Sequence, residues 1–340
     1  MTALTICPYT KINKEKKGQV GISDLDKMLT EFFSRETVVL NSARLGILEV
    51  LRFFDIRRRE GILIPDFLSQ CILNILNKSS FPVKKADETT RVVLLLHQWG
   101  YPQKMKQVIE EAKKRNLIVI EDCAHTFDSK YQGQKVGTFG EAAVYSFSKL
   151  FPTGTGGCLV SKNKALVEIV KEKRKKDEGI FLNLLNKICQ QSLKKAYTRG
   201  KLHDNNFIEL CYSQYFRMFN ANSYALKLFP FPRKELEAVL AIRKENYLNL
   251  VKRIKQDYII PDHDSDIEVN PLCLPVFPPL TKIPRIIESL KDKGVAVEAQ
   301  HFDTNRNTFD PHYQKCLAIP CHQYLKVEDM ENIISVINEA

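Results

Sequence analysis

Short apolar, β-branched runs alternate along the first half of the chain with longer segments whose apolar residues recur at helical spacing. Val38–Leu40, Ile62–Pro65, Arg91–Leu96 (RVVLLL), Leu117–Ile120, Ala142–Phe147 and Cys158–Ser161 are too short for helices and suit buried strands. Between them lie Ile22–Phe33, the stretch LGILEVLRFF behind Asn41-Ser42-Ala43-Arg44, Cys71–Asn77 and Lys104–Asn116. In the last of these, Met105, Val108, Ile109 and Ala112 share one helical face. Strand and helix in alternation predict an α/β fold, a mixed and mostly parallel sheet flanked by helices. Farther on, helices at Arg233–Ile254, Ile283–Lys293 and Val327–Asn338, with PLCLPVFPPL and Gly294–Glu298 among them, predict a small α+β unit. The expected division is a large domain at 1–225 and a small C-terminal domain at 226–340. Within the large one, 1–37 is a polar N-terminal segment, 164–206 a basic helical insertion and 207–225 an aromatic, Asn-rich junction.

Length supports that division, because 340 residues exceed what one core organises easily. A hydrophobic content of 44% with 27% charged residues is that of an ordinary globular protein. No apolar run approaches the roughly 18–20 residues of a membrane helix, and MTALTICPYTKINKEKK lacks the apolar stretch of a signal peptide. A cytoplasmic location with no membrane partner is therefore expected. The nine cysteines form no CxxC pair and several sit in apolar runs, which predicts buried thiols and no metal site. The net charge of +11 is spread over Lys104–Lys114, Lys162–Lys176 and Lys194–Lys201, as on solvated helix faces. No nucleic-acid motif accompanies it, so no such partner is expected; the charge can still draw an anionic substrate.

Candidate chemistry concentrates at 117–161. The run Leu117–Ile120 stops at Glu121 and Asp122, and strand C-termini of open α/β sheets are where ligands sit. A carboxylate ending a buried strand must meet a cation or a cap, since an unpartnered one is costly. Lys149 follows Ser146-Phe147-Ser148 and precedes Thr153-Gly-Thr-Gly-Gly157, where a desolvated lysine becomes a usable nucleophile. A carboxylate and a lysine at strand ends form the pair that pyridoxal phosphate requires. The lysine forms the Schiff base and the acid keeps the pyridinium nitrogen protonated. His125 lies beside such a ring or is structural; Ser146 and Ser148 bind phosphate or cap a strand end. Asn41 or Ser42 makes an N-cap, and the helix N-terminus behind it is a plain cap or a site that favours phosphate.

The block EDCAHTFDSKYQGQKVGTFGEAAVYSFSK with TGTGG resembles the DegT/DnrJ/EryC1/StrS family of fold-type I, pyridoxal-phosphate-dependent sugar aminotransferases. Weaker matches extend over most of the chain: Ser42–Arg44, Ile64–Phe67, HQWGYP at 97–102, Arg243 with Asn246-Tyr247, and IPCHQYLKVEDMENIISVI. The resemblance implies a seven-stranded mixed sheet, a small C-terminal domain and sites completed across a homodimer interface. It places Lys149 on the Schiff-base lysine, Asp122 on the pyridine nitrogen, His125 beside the ring, and Ser146, Ser42, Ala43 and Arg44 at the phosphate. The implied partners are glutamate as amino donor and a nucleotide-linked keto sugar as acceptor, in surface-polysaccharide or secondary-metabolite synthesis. Related dehydratases carry histidine in place of the lysine, so Lys149 points away from them.

The departures sit around this frame. Residues before Lys149 and between Pro82 and Arg91 are fewer than in better-known members. Ser69 stands where many members stack an aromatic ring on the cofactor, with Phe67 the nearest substitute. The partner-reaching Gly-x-Asn-Tyr-Arg-Met reads Ser213-Gln-Tyr-Phe-Arg-Met218, with Asn220 and Asn222 close by. These changes motivate a second expectation, a catalytically reduced relative that keeps the fold for binding or regulation.

Overall fold

The computed structural model describes residues 4–6, 20–176, 188, 218–221, 226–259 and 266–340. Most of the basic insertion beyond Lys176 and most of the aromatic junction, Asn222 and Ser213–Arg217 included, lie outside them.

Strand β5 (Ile118–Asp122) lies mid-way in a seven-stranded sheet of order β1-β9-β8-β5-β4-β2-β3. The others are β1 (Glu36–Leu40), β2 (Gly61–Leu63), β3 (Phe81–Val83), β4 (Thr90–Leu96), β8 (Ala142–Ser146) and β9 (Gly157–Ser161). β3, β2, β4, β5 and β8 run parallel, while β9 pairs antiparallel with both β8 and β1. The C-terminal ends of β1, β8, β5 and β4 therefore share one edge of the sheet.

Side chains alternate between two covered faces. One face carries Leu40, Leu94, Ile120, Val144 and Leu159 and packs on α2 (Ala43–Phe53), α3 (Gln70–Leu76) and α6 (Lys164–Lys176). The other carries Val39, Ala143, Tyr145 and Val160 against α1 (Ile22–Phe33). Its neighbours Val93, Leu95 and Val119 pack on α4 (Met105–Lys114). Between β8 and β9 the chain makes a single helical turn, α5 (Phe147–Leu150).

A three-stranded antiparallel sheet, β11 (Cys273–Val276), β13 (Tyr313–Pro320) and β12 (Ala299–Asp303), builds the second core. With it pack α7 (Arg233–Arg253), α8 (Ile283–Asp292) and α9 (Val327–Glu339), together with Trp99 and Tyr101 from the loop after β4. Helix α7 spans both cores: Leu236 and Leu240 face the α1 side of the large sheet, while Tyr247 and Leu250 enter the second core. A further small sheet joins β6 (Lys130–Tyr131) and β7 (Gln134–Lys135) to β10 (Ile267–Glu268).

Most elements agree with the sequence pattern to within a few residues, with instructive exceptions, among them β13, whose eight residues the pattern did not single out as a strand. β5 runs two residues beyond its apolar stretch, through Glu121 and Asp122, because β4 and β8 continue alongside. The Gly294–Glu298 run precedes strand β12 and does not form it. β3, β6, β7 and β10 have two or three residues each, too few to show a period in sequence. Among the described residues no helix is long and apolar enough to cross a membrane, and six cysteines are free thiols.

Candidate active site

Strand alternation sends the two acids of β5 to opposite faces. Glu121 follows Val119 to the α4 side, where it is fully buried. Its Oε1 accepts N–H groups from Phe139 (2.8 Å) and Gly140 (2.7 Å), and its Oε2 the N–H of Gly137 (2.6 Å). His97 adds a fourth donor through Nε2, at 3.0 Å. Because His97 Nδ1 accepts the Gln103 N–H, the ring proton belongs on Nε2. Glu121 thus fastens the loop between β7 and β8, a structural task.

Asp122 follows Ile120 to the α2 face and lines a cavity of about 550 Å³ at the C-terminal sheet edge. Its Oδ1 accepts the Ala124 N–H at 3.0 Å, and it makes no other side-chain hydrogen bond among the described residues. Burial raises its pKa above the ordinary 3.8, while the Ala124 N–H and the Lys149 charge pull it down. A cation in the cavity would favour the carboxylate further. His125 lines the same cavity and accepts the Trp99 N–H on Nδ1 at 3.1 Å. Burial first, then the Lys149 charge, lowers its pKa to about 3. It is therefore neutral at physiological pH, with an Nε2–H to donate.

Lys149 stands on α5 and also lines the cavity. Its ammonium makes no hydrogen bond or ion pair among the described residues, though its charge reaches both Asp122 and His125. The turn beneath it is held by apolar packing: Phe147 and Leu150 are fully buried, and Phe147 lies against Phe127 and Phe229.

Leu40, Gly157 and Ser146 form one row across β1, β9 and β8. The row sets the start of α2 next to β8, so Ser42, Ala43, Arg44, Ser146 and Ser148 all line the cavity. Ser42 is the N-cap of α2, its Oγ accepting the Leu45 N–H at 3.4 Å. Ser146 and Ser148 hydroxyls lie 3.3 Å apart. The Thr155 hydroxyl, also on the wall, is buried without a hydrogen-bond partner among the described residues. A helix N-terminus ringed by hydroxyls suits a phosphate.

Phe67 sits at the opposite wall, 49% exposed. One face of its ring stacks on His301 (centroids 4.4 Å apart, planes at 7°) and Tyr313 meets it edge-on. Leu68, Ser69, Gln98, Trp99, Gln300 and His301 complete that side. The eight residues expected at the cofactor (Ser42, Ala43, Arg44, Phe67, Asp122, His125, Ser146 and Lys149) thus border one cavity, together with Ser148, whereas Glu121 does not. Trp99, Thr155, Gln300 and His301 were not singled out. Thr155 lies inside the quoted glycine-rich turn and Trp99 inside HQWGYP, but Gln300 and His301 carry no local pattern that marks them.

The model of the DegT/DnrJ/EryC1/StrS aminotransferase family matches residues 83–338. The chain belongs to this family. Among its relatives, GDP-perosamine synthase of Escherichia coli O157:H7 is 45% identical over 87 residues, 25% of this chain and 24% of that protein. The UDP-4-amino-4,6-dideoxy-N-acetyl-beta-L-altrosamine transaminase of Helicobacter pylori is 24% identical over 91% of this chain and 86% of its own length. The Campylobacter jejuni protein of that name is 27% identical over 68% of this chain and 60% of its own length. Solved structures show the same fold. The aminotransferase TlmJ from Streptoalloteichus hindustanus superposes with TM-score 0.68 at 14% identity, covering 100% of this chain and 98% of that one. PseC of Helicobacter pylori gives 0.64 at 20% identity, covering 96% and 93%. The seven-stranded mixed sheet is that of fold-type I aminotransferases.

Members of the DegT/DnrJ/EryC1/StrS family depend on pyridoxal phosphate, and the cavity fits it. It offers an acid that a pyridinium would satisfy, together with a lysine and, near a helix N-terminus, a buried hydroxyl that both lack a partner among the described residues.

Proposed function

We propose that this chain is a pyridoxal-phosphate-dependent aminotransferase that moves an amino group from an amino acid, glutamate in the family's usual case, to a keto sugar carried on a nucleotide. The observation that carries this reading is a single cavity holding a desolvated carboxylate and a lysine without a partner among the described residues, Asp122 and Lys149, at neighbouring strand ends. When bound, the cofactor supplies an electron sink for the charge left by a departing proton. Lys149 would anchor it covalently and, once freed, carry the substrate's α-proton as general base. Asp122 would hold the proton on the ring nitrogen, and His125 would donate from Nε2 to an oxygen at the ring's edge. Ser146, Ser42, Ala43 and Arg44 would bind the phosphate; Phe67 closes the far wall.

The acceptor class rests on names: the three relatives described above carry GDP or UDP in theirs, and a net charge of +11 favours a pyrophosphate. Homodimerisation completing the phosphate pocket, a cytoplasmic location, and a role in surface-polysaccharide or secondary-metabolite synthesis belong to the same reading. So does the division into a cofactor-binding domain at 1–225 and a small domain at 226–340.

Protein purified with pyridoxal phosphate should be yellow, and its visible band should bleach when glutamate is added. Lys149→Ala should abolish both. Colourless protein indifferent to the cofactor would overturn the proposal. Colour unmoved by any amino donor would favour the reduced relative. A screen of nucleotide keto sugars, scored by glutamate consumed, then names the acceptor.

A further inference from the structure

Lys149 rides on one helical turn, and a helix of that length does not hold itself. Its ends are pinned from outside. At the N-terminal end the Phe147 N–H donates to Gly156 O at 3.0 Å. At the C-terminal end the carbonyls have no partner within the helix, and the chain leaves extended at Phe151. There the Leu150 carbonyl accepts the side-chain amide of Gln323, Nε2 to O at 3.0 Å, from 173 residues away. Gln323 Oε1 accepts in turn from Arg243 Nη1 at 2.7 Å. Arg243, on α7, is fully buried, and its Nη2 donates to the carbonyls of Pro271 (3.0 Å) and Leu272 (3.4 Å). The amide cannot be flipped, because a guanidinium only donates and a carbonyl only accepts.

We propose that Gln323 is a positioning residue that carries a rigid anchor in the second core, Arg243, into the turn that aims Lys149. The relay ends on the residue next to Lys149, so its loss would let the turn unwind and move the ammonium within the cavity. A misplacement of about 1 Å costs on the order of 100-fold in rate. The relay also gives a task to Arg243 and to the closing IPCHQYL segment, which the cofactor reading leaves unused. The inference rests on Lys149 being the cofactor lysine, but its structural half does not.

Two variants separate the links. Gln323→Glu keeps an acceptor for Arg243, as an ion pair, and cuts only the bond to Leu150. Gln323→Met keeps the length and cuts both. The amide of Phe151, which donates to Phe147 O at 2.8 Å, reports whether the turn is closed, by hydrogen exchange in the cofactor-free protein. In both variants its exchange should quicken about tenfold or more. In the cofactor-loaded protein the pH midpoint of the visible band should move, and kcat should fall about tenfold or more with KM within about twofold. The melting temperature of Gln323→Glu should match wild type. If that variant fails to fold, Gln323→Met gives the same readouts. Wild-type exchange at Phe151 with an unmoved midpoint would overturn the relay. Faster exchange in a wild-type background that takes up no cofactor would uphold the relay while sinking the reading of Lys149.

Discussion

At the scale of single residues, the site is decided by which face of β5 each acid takes. Asp122→Asn tests this on two axes. Its folded pKa is raised, so ionising it opposes folding, and the penalty grows as pH rises from the ordinary 3.8 through the folded value. Asn removes that penalty and still accepts the Ala124 N–H. Melting of the cofactor-free variant at pH 7 should hold or rise, while turnover falls about 100-fold or more for want of a ring-nitrogen partner. His125 has the opposite sign. Its folded pKa of about 3 lies below the ordinary 6.5, so its contribution is full above 6.5 and is lost as pH falls below that. His125→Gln, which keeps a donor and an acceptor, should flatten the acid limb of the stability curve between pH 6.5 and about 4, measured by urea unfolding. Asp122 was conspicuous in sequence, because a charge ends an apolar run there, whereas His125 stood out only as a histidine three residues farther on. Glu121 was equally conspicuous, but its task was not legible: its four donors come from the loop at 137–140 and from His97, and no spacing reports them.

At the scale of elements, the phosphate end depends on how closely α2 approaches the strands. Gly157 opens β9 between Leu40 and Ser146, and a Cβ there would strike the Tyr145 carbonyl and come within 2.6 Å of the Ala43 nitrogen. Gly157→Ala therefore pushes the N-terminus of α2 away from the row that Ser146 ends. The expected cost is about 1–3 kcal/mol of stability, with a loss of cofactor affinity that exceeds the loss of folding. Calorimetric titration with pyridoxal phosphate, beside a melting curve, checks it; an unchanged affinity would show that α2 does not hold the phosphate. The glycine was visible as part of TGTGG, and so was a helix cap at Asn41 or Ser42. Their adjacency was not, because β1 joins the sheet through β9, over 110 residues later, by an antiparallel pairing that periodicity does not encode. Phe67 shows the same limit. Its aromatic character suggested a partner for the cofactor ring, yet one of its faces already lies on His301.

At the scale of the whole molecule, the cavity lies where the large sheet meets the C-terminal one, and a few polar side chains fix that junction. β12 is an edge strand, and Gln98 closes its open side. Gln98 Nε2 donates to His301 O at 2.7 Å, and its Oε1 accepts the Asp303 N–H at 2.9 Å. Gln103 makes a second tie, donating to Leu96 O and accepting from the N–H and hydroxyl of Thr308. The main strands of the large sheet, their order of appearance and the helices around both sheets follow from the apolar pattern, whereas β12 and β13 do not. Nor does this tie between the sheets, because it joins residues about 205 positions apart through side-chain amides that look ordinary in sequence. Gln98→Ala leaves one carbonyl and one N–H of the β12 edge without their present partner, at about 1–2 kcal/mol. Melting should drop by a few degrees. Gln300 and His301, which wall the cavity on the Phe67 side, then lose their fixed position, whereas Asp122, Lys149 and the α2 N-terminus keep theirs. The variant should therefore retain its visible band and its response to glutamate, while KM for the sugar acceptor rises several-fold. Loss of the band instead would mean that the C-terminal sheet holds the cofactor as well as the acceptor.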